Sequence, residues 1–167
     1  MTPEFYRIAD IGEGFLAIMA KPVAGEWLQD DLASLVAVGV GQIISLLEVR
    51  EEAELGLTEE RNFCAAVGAR FVSFPIPDRG IPSDLQSFAQ LASQTRQAIE
   101  DGNNTVIHCR AGIGRSGMLA AGVLVANGVA SEDAFRQISL ARRVDVPDTQ
   151  EQMDLVKLNE STFRKIT

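Results

Sequence analysis

A thiol, a guanidinium and two glycines fall within the segment Cys109-Arg110-Ala111-Gly112-Ile113-Gly114-Arg115, with His108 before it and Ser116 after it. Gly112 and Gly114 open turn conformations that a Cβ forbids, so successive backbone N–H groups can converge on one concavity. Set at the start of a helix, such a cup holds a tetrahedral oxyanion. Cys109 enters it first and Arg115 closes it six residues later, which puts a thiol beneath the anion and a planar guanidinium beside it. A cysteine attacks as its thiolate, and both a helix N-terminus and a neighbouring arginine lower a thiol pKa from ~8.5 towards roughly 3.5–7.5. Arginine can also bond two oxygens of a transferring phosphoryl group at once, which lysine cannot. The C-x5-R spacing therefore suits nucleophilic attack on phosphorus. No G-x-x-x-x-G-K-[ST] loop occurs in the chain, which argues against nucleotide cradling of the Walker type.

For this cup to form, a strand must lead into it and a helix out of it. Asn104 to His108 reads as a short buried strand, and Ser116 to Asn127 is apolar almost all round, as a fully buried helix is. Upstream, Phe5–Ile8 and Phe15–Met19, separated by Gly12-Glu13-Gly14, read as a hairpin at an edge of the sheet. Leu28, Leu32, Leu35 and Val36 recur at helical spacing between Glu26 and Val38, and Gly39 and Gly41 stop that helix before a strand from Gln42 to Leu47. Thr58–Val67 reads as a further short helix and Arg70–Phe74 as a strand, followed by a rigid loop, Pro75 to Pro82, that holds three prolines. Ser83 with Gln86 resembles a capping box for a helix whose face runs through Leu85, Phe88, Ala92, Thr95 and Ile99 to Gly102. Helices from Glu132 to Arg143, and from Asp148, with Glu151 as capping partner, to about Arg164, complete the chain. The alternation of strands and helices predicts an α/β fold: a central, mostly parallel sheet of about 4–5 strands flanked by helices, with the phosphate-binding loop between a strand and a buried helix.

The 167 residues, 46% hydrophobic and 23% charged, fit a single catalytic domain spanning 1–167. Two cysteines are too few for a disulfide framework, and Cys64, on the Thr58–Val67 helix, reads as a core residue rather than a redox partner. No apolar run is long enough to span a bilayer, and Met1 to Asp10 lacks the basic-then-apolar layout of a signal peptide, so the expected location is cytoplasmic. A net charge of −8, with no Lys/Arg cluster interleaved with aromatics, argues against nucleic acid and against an anionic membrane surface. Local positive potential for an anion must come from Arg115, Arg110, Arg79 and the amide cup.

The segment His108 to Ser116 resembles the signature of the cysteine-dependent protein tyrosine and dual-specificity phosphatases, and the resemblance runs from about Val40 to Gln152. It implies phosphomonoester hydrolysis through a phosphocysteine, with no metal and no cofactor, on a phosphorylated protein or a small phosphomonoester. The expected state is a monomer. Cys109 is then the nucleophile, and Arg110, Ala111, Gly112, Ile113, Gly114 and Arg115 are the phosphate-binding residues, Arg110 as an exposed residue of the rim. The Ser116 hydroxyl can reach back to stabilise the leaving thiolate, and its other reading is a helix N-terminal serine. His108 points away from the pocket if Cys109 faces it, and so reads as a hydrogen-bonding residue that orders the loop, with a Cys–His base pair as the rival. A leaving alkoxide or phenoxide needs a proton. Asp78, in a Pro-Asp-Arg-Gly turn 31 residues before Cys109, is the choice for that acid, with Asp84 and Asp145 next in line. The segment Asp148 to Met153 is similar to one whose glutamine helps place the hydrolytic water. Gln152 fits that pattern better than Gln150, and a solvent-facing helical glutamine is the alternative.

The chain departs from the family's pattern in having one tyrosine, Tyr6, and no lysine inside the cup, which predicts a shallow pocket and leaves substrate choice open, with aryl esters expected to lead because a phenol is a better leaving group than an alkanol. Two other readings stay open. A catalytically silent phosphopeptide-binding module would retain the cup, although Cys109, Arg115, Ser116 and Asp78 are all present. An arsenate reductase or rhodanese leaves Asp78 without a role, and the former needs further cysteines.

Overall fold

A computed structural model of the chain describes residues 2–165. Met1, Ile166 and Thr167, at the ends of the expected 1–167 domain, lie outside the described residues. The strands β1 (Tyr6–Ile11), β2 (Gly14–Met19), β3 (Gln42–Ser45), β4 (Arg70–Ser73) and β5 (Thr105–His108) form one sheet in the order β1-β2-β5-β3-β4. β1 pairs antiparallel with β2, as the hairpin reading expects, and the remaining pairings are parallel. β5 lies at the centre with all four residues buried, the environment a short apolar strand in a parallel sheet requires.

Eight helices accompany the described sheet: α1 (Leu28–Ala37), α2 (Val49–Glu54), α3 (Glu60–Val67), α4 (Leu85–Glu100), α5 (Gly114–Ala126), α6 (Ser131–Arg142), α7 (Gln150–Lys157) and α8 (Glu160–Lys165). Strand residues alternate between two cores. Ala17, Ile43 and Val106 pack with Leu28, Leu32 and Leu35 of α1 and Cys64 of α3. Ile18, Ile44 and Ile107 face the opposite core with Phe88 of α4, Met118 and Leu119 of α5 and Phe163 of α8. α5 is buried from Gly114 to Val125, wedged between the sheet and α4, α6, α7 and α8, which explains why its sequence is apolar on every side. Among the described residues no helix is long and apolar enough to cross a membrane.

One helix falls where no element was expected, and three local readings are corrected. The segment Val49–Glu54 is helical, although its charges gave no apolar period; the Glu48 N–H donates to the Glu51 carboxylate at 2.9 Å to start it. α4 is capped by Asp84, not Ser83: the Asp84 carboxylate accepts from the Gln86 and Ser87 N–H groups at 3.0 and 3.4 Å and from the Ser87 hydroxyl at 2.7 Å. At the C-terminal end, Thr149 is the cap and Gln152, not Glu151, its reciprocal partner, with bonds of 3.1 and 3.3 Å. The expected long helix then breaks at Leu158-Asn159, where the Asn159 amide donates to the Leu155 carbonyl at 2.7 Å and α8 turns Phe163 edge-on to Phe88.

Because β3, β4 and β5 are parallel, their C-terminal ends open on one side of the sheet. α2 follows β3, the Pro75–Pro82 loop follows β4, and the glycine-rich turn follows β5. The first of these loops is held in place by a continuation of sheet pairing, with Phe74 N–H donating to Ser45 and Ile76 N–H to Leu46 at 2.9 and 3.1 Å.

Candidate active site

The turn from Cys109 to Ile113 joins β5 to α5 as a cup. Gly112 is required twice: its φ is +72°, and a Cβ there would lie 2.5 Å from the Met19 carbonyl. Cys109 is 3% exposed, and its Sγ lies 3.2 Å from the Ser116 hydroxyl. Burial alone would raise the thiol pKa, yet the net direction is downward. The Ser116 hydroxyl and the backbone N–H groups of Ser116, Gly112 and Ile113 favour the thiolate and outweigh desolvation. A cup whose amides point inward turns carbonyls outward, and Arg142 takes two of them, donating from Nε to Gly112 and from Nη2 to Ala111 at 3.1 and 3.0 Å. The same guanidinium lies over the Tyr6 ring, 4.3 Å from its centroid.

Arg115 is 2% exposed, and its hydrogen-bond partners Glu51, Ile76 and Asp78 lie in the segments that follow β3 and β4. Glu51 grips it in fork geometry, with Nη1 to Oε2 at 2.7 Å and Nη2 to Oε1 at 3.0 Å. Nη1 also donates to the Ile76 carbonyl at 2.9 Å, and Nη2 to Asp78 at 3.1 Å. Burial works against the charge of Arg115, and Glu51, Cys109 and Asp78 more than restore it, so its pKa is raised. Burial likewise works against the Glu51 carboxylate, and Arg115, the Glu48 N–H and Arg110 hold its pKa below the ordinary value. Arg110 is half exposed and reaches Glu51 at 3.4 Å.

Behind the cup, His108 faces the α3 side of the sheet. Its Nε2 lies 2.6 Å from Glu60 and its Nδ1 3.2 Å from the Cys109 carbonyl, with both side chains buried. Burial pushes the His108 pKa down, but Glu60 and the Cys109 carbonyl prevail and raise it. The second Glu60 oxygen has no hydrogen-bond partner among the described residues. Cys64 sits in the same layer, its pKa pushed up to about 12 by burial and then by Glu60. It belongs to the core opposite the one that holds Cys109. At the front, Asp78, Arg79, Cys109, Arg110, Ala111, Arg115 and Asp148 line a cavity of about 260 Å³. A thiolate at its floor, amides around it and a guanidinium at its side can bind a phosphoryl group and attack it in line.

The model of the DSP-PTPase phosphatase domain of Swiss Army Knife proteins, PTP-SAK, matches residues 7–160. The chain belongs to this family. A 76-residue stretch is 30% identical to the Invertebrate iridescent virus 6 protein named "Putative tyrosine phosphatase 197R", over 43% of this chain and 29% of the viral one. The match thus spans under a third of that curated relative's length. Among solved structures, kinase associated phosphatase with its catalytic-site cysteine substituted by serine is similar at a TM-score of 0.85, with 20% identity over 97% of each chain. Tk-PTP in its active form gives 0.76, with 24% identity over 93% of this chain and 97% of that one. PTPMT1 in complex with PI(5)P gives 0.75, with 18% identity over 96% and 97%. These neighbours share the fold.

In this PTP-SAK domain, Asp78 does reach the cup, through Arg115, whereas the two reserve carboxylates do not. Asp84 is spent on capping α4, and Asp145 lines a separate groove with Phe135, Met153 and Lys157. His108 is turned to Glu60 rather than to the thiol. Gln152 is neither solvent-facing nor free: it is fully buried, its amide oxygen accepting from the Asp148 and Thr149 N–H groups and its nitrogen donating to the Gly80 carbonyl at 3.0 Å. Four residues of the site escape the sequence reading. Glu51 lies in a charged run with one usable signal, its three-residue spacing from Glu48. Arg142 reads as an ordinary basic helix end, and Glu60 as an ordinary acidic helix start. Asp148 reads as the start of the last helix and carries no sign that it borders the cup.

Proposed function

We propose that this PTP-SAK domain is a metal-independent phosphomonoesterase that works as one catalytic unit through a phosphocysteine. The reading is carried by Cys109: a buried thiol with a lowered pKa, 3.2 Å from Ser116 and ringed by amides at the mouth of α5, with Arg115 beside it. In the first step the Cys109 sulfur forms a bond to phosphorus as the bond to the leaving oxygen breaks, and Asp78 gives that oxygen a proton. The amides of the cup and Arg115 bind the three equatorial oxygens, more tightly as charge builds in the transition state. In the second step a water oxygen bonds to phosphorus, the S–P bond breaks, and Asp78 takes a water proton back. The Ser116 hydroxyl donates to the departing thiolate. His108 and Glu60 hold the floor of the cup from behind.

The substrate is a phosphorylated protein or a small phosphomonoester, with aryl esters leading. A phenol leaves more readily than an alkanol, and the cup's Ala111, Gly112, Ile113 and Gly114 carry no charge for a polyanionic headgroup. Cys109 has to remain a free thiol, which suits a reducing compartment such as the cytoplasm.

The test is release of para-nitrophenol from its phosphate ester. Turnover should survive EDTA and be blocked by vanadate. Cys109→Ser should abolish turnover yet still bind tungstate, because the amides and Arg115 remain. Loss of activity on chelation, or equal turnover by Cys109→Ser, would overturn the mechanism.

A further inference from the structure

The group that should hold the hydrolytic water is not where the sequence pattern puts it. Gln152 has no acceptor left for a water's proton and is fully buried: its oxygen serves two backbone N–H groups, and its nitrogen donates to the Gly80 carbonyl. One of those N–H groups is that of Asp148, so Gln152 fixes the backbone of the residue beside it instead of facing the cavity. Asp148 itself lines the cavity, together with Cys109, Arg115 and Asp78. It lies so close to the first residue of α5 that a Cβ on Gly114 would sit 2.5 Å from its Oδ2. Among the described residues no protein donor is recorded within hydrogen-bond distance of this carboxylate, while Asp78 is already engaged by Arg115.

We propose that Asp148 holds the water that cleaves the phosphocysteine, a role that rests on the phosphatase reading above. A water has two protons, and its lone pair is aimed at phosphorus only when both are directed elsewhere. Asp78 and Asp148 approach the cavity from different loops, one after β4 and one before α7, and supply one acceptor each. As the water oxygen bonds to phosphorus, the S–P electron pair returns to Cys109 as thiolate. One proton passes to the Asp78 carboxylate, and the other, held towards Asp148, stays on the released hydrogen phosphate. The first half of the reaction uses no water, so Asp148 is silent there. Gly114 is what lets the carboxylate come this near.

The experiment is pre-steady-state and steady-state hydrolysis of para-nitrophenyl phosphate by the wild type, Asp148→Ala and Asp148→Asn. The Asp148 side chain is exposed and its backbone bond to Gln152 does not depend on it, so both variants keep the fold. For Asp148→Ala we expect kcat to fall roughly 10²-fold, the low end for a group acting on a transferring proton. kcat/KM should stay within about twofold, because it reports only steps up to phosphocysteine formation. A burst should appear, with phosphoenzyme visible by mass spectrometry of the quenched reaction. Asp148→Asn, whose amide oxygen still accepts from water, should recover most of kcat. If kcat and kcat/KM fall together without phosphoenzyme, or if neither changes, Asp148 does not hold the water. A wild type that releases no nitrophenol would sink the phosphatase reading itself, and this role with it.

Discussion

In the proposed reaction Ser116 Oγ acts on the sulfur, and the Asp78 carboxylate acts on the leaving oxygen in the first step and on water in the second. The hydroxyl is the largest of the contacts that offset desolvation of the Cys109 thiol. Ser116→Ala should therefore raise the Cys109 pKa, and alkylation by iodoacetamide near pH 6 should slow severalfold while the rate near pH 10 is unchanged. Breakdown of the phosphocysteine should slow as well, since the thiolate leaves without its donor. Asp78→Asn acts on the transferred protons instead. Turnover of alkyl phosphates should drop by roughly 10²–10⁴-fold, the range for general-acid catalysis, and that of para-nitrophenyl phosphate much less, because nitrophenolate leaves without a proton. A uniform loss across leaving groups would return Asp78 to a purely structural part in its turn.

The elements that carry these atoms differ in how plainly they can be read. α5 and β5 were evident because full burial demands an apolar sequence without a polar face, and the hairpin at the edge because two apolar runs flank a glycine pair. α2 was hidden: it is a six-residue helix with Glu51 alone buried, so no period of apolar residues marks it. What it brings to the site is Glu51, which reaches an arginine 64 positions away and, at 3.4 Å, Arg110. Arg142 was hidden for a similar reason, since a basic residue in a last turn is accounted for by the helix dipole alone. Only its position against the outward carbonyls of the cup distinguishes it. Arg142→Ala should free the Ala111 and Gly112 carbonyls and loosen the amides on their far side. We expect kcat/KM to fall roughly 10-fold to 10²-fold, the scale of a small misplacement of binding groups, with vanadate binding weakened in parallel. Retained vanadate affinity would show that the cup holds its shape unaided.

Stability and its pH dependence belong to the whole molecule, and the buried His108–Glu60 pair sets part of both by joining the α3 layer to the central strand. The His108 pKa is raised in the folded chain, so the pair's contribution is fully present below the unfolded value of about 6.5 and is lost as pH rises through the folded one. Glu60→Gln should cost about 3 kcal/mol near pH 6, as breaking a buried pair does, and the gap to wild type in urea denaturation should narrow towards pH 9. A gap independent of pH would mean that His108 does not titrate in this range. The α/β architecture and the place of the cup at a strand end could be read from periodicity and two glycines, but this pair could not, because it depends on which side of the sheet each residue faces and on what stands opposite. The parallel order β5-β3-β4 also governs time. Glu51, Asp78 and Cys109 follow three different strands whose pairings close long loops, and such contacts form late. In a chain refolding from denaturant, the Ser116, Gly112 and Ile113 contacts that lower the Cys109 pKa lie within its own turn, whereas Glu51 and Asp78 reach Arg115 only when their strands dock. On the proposed mechanism, therefore, full turnover waits for completed topology while the thiol does not.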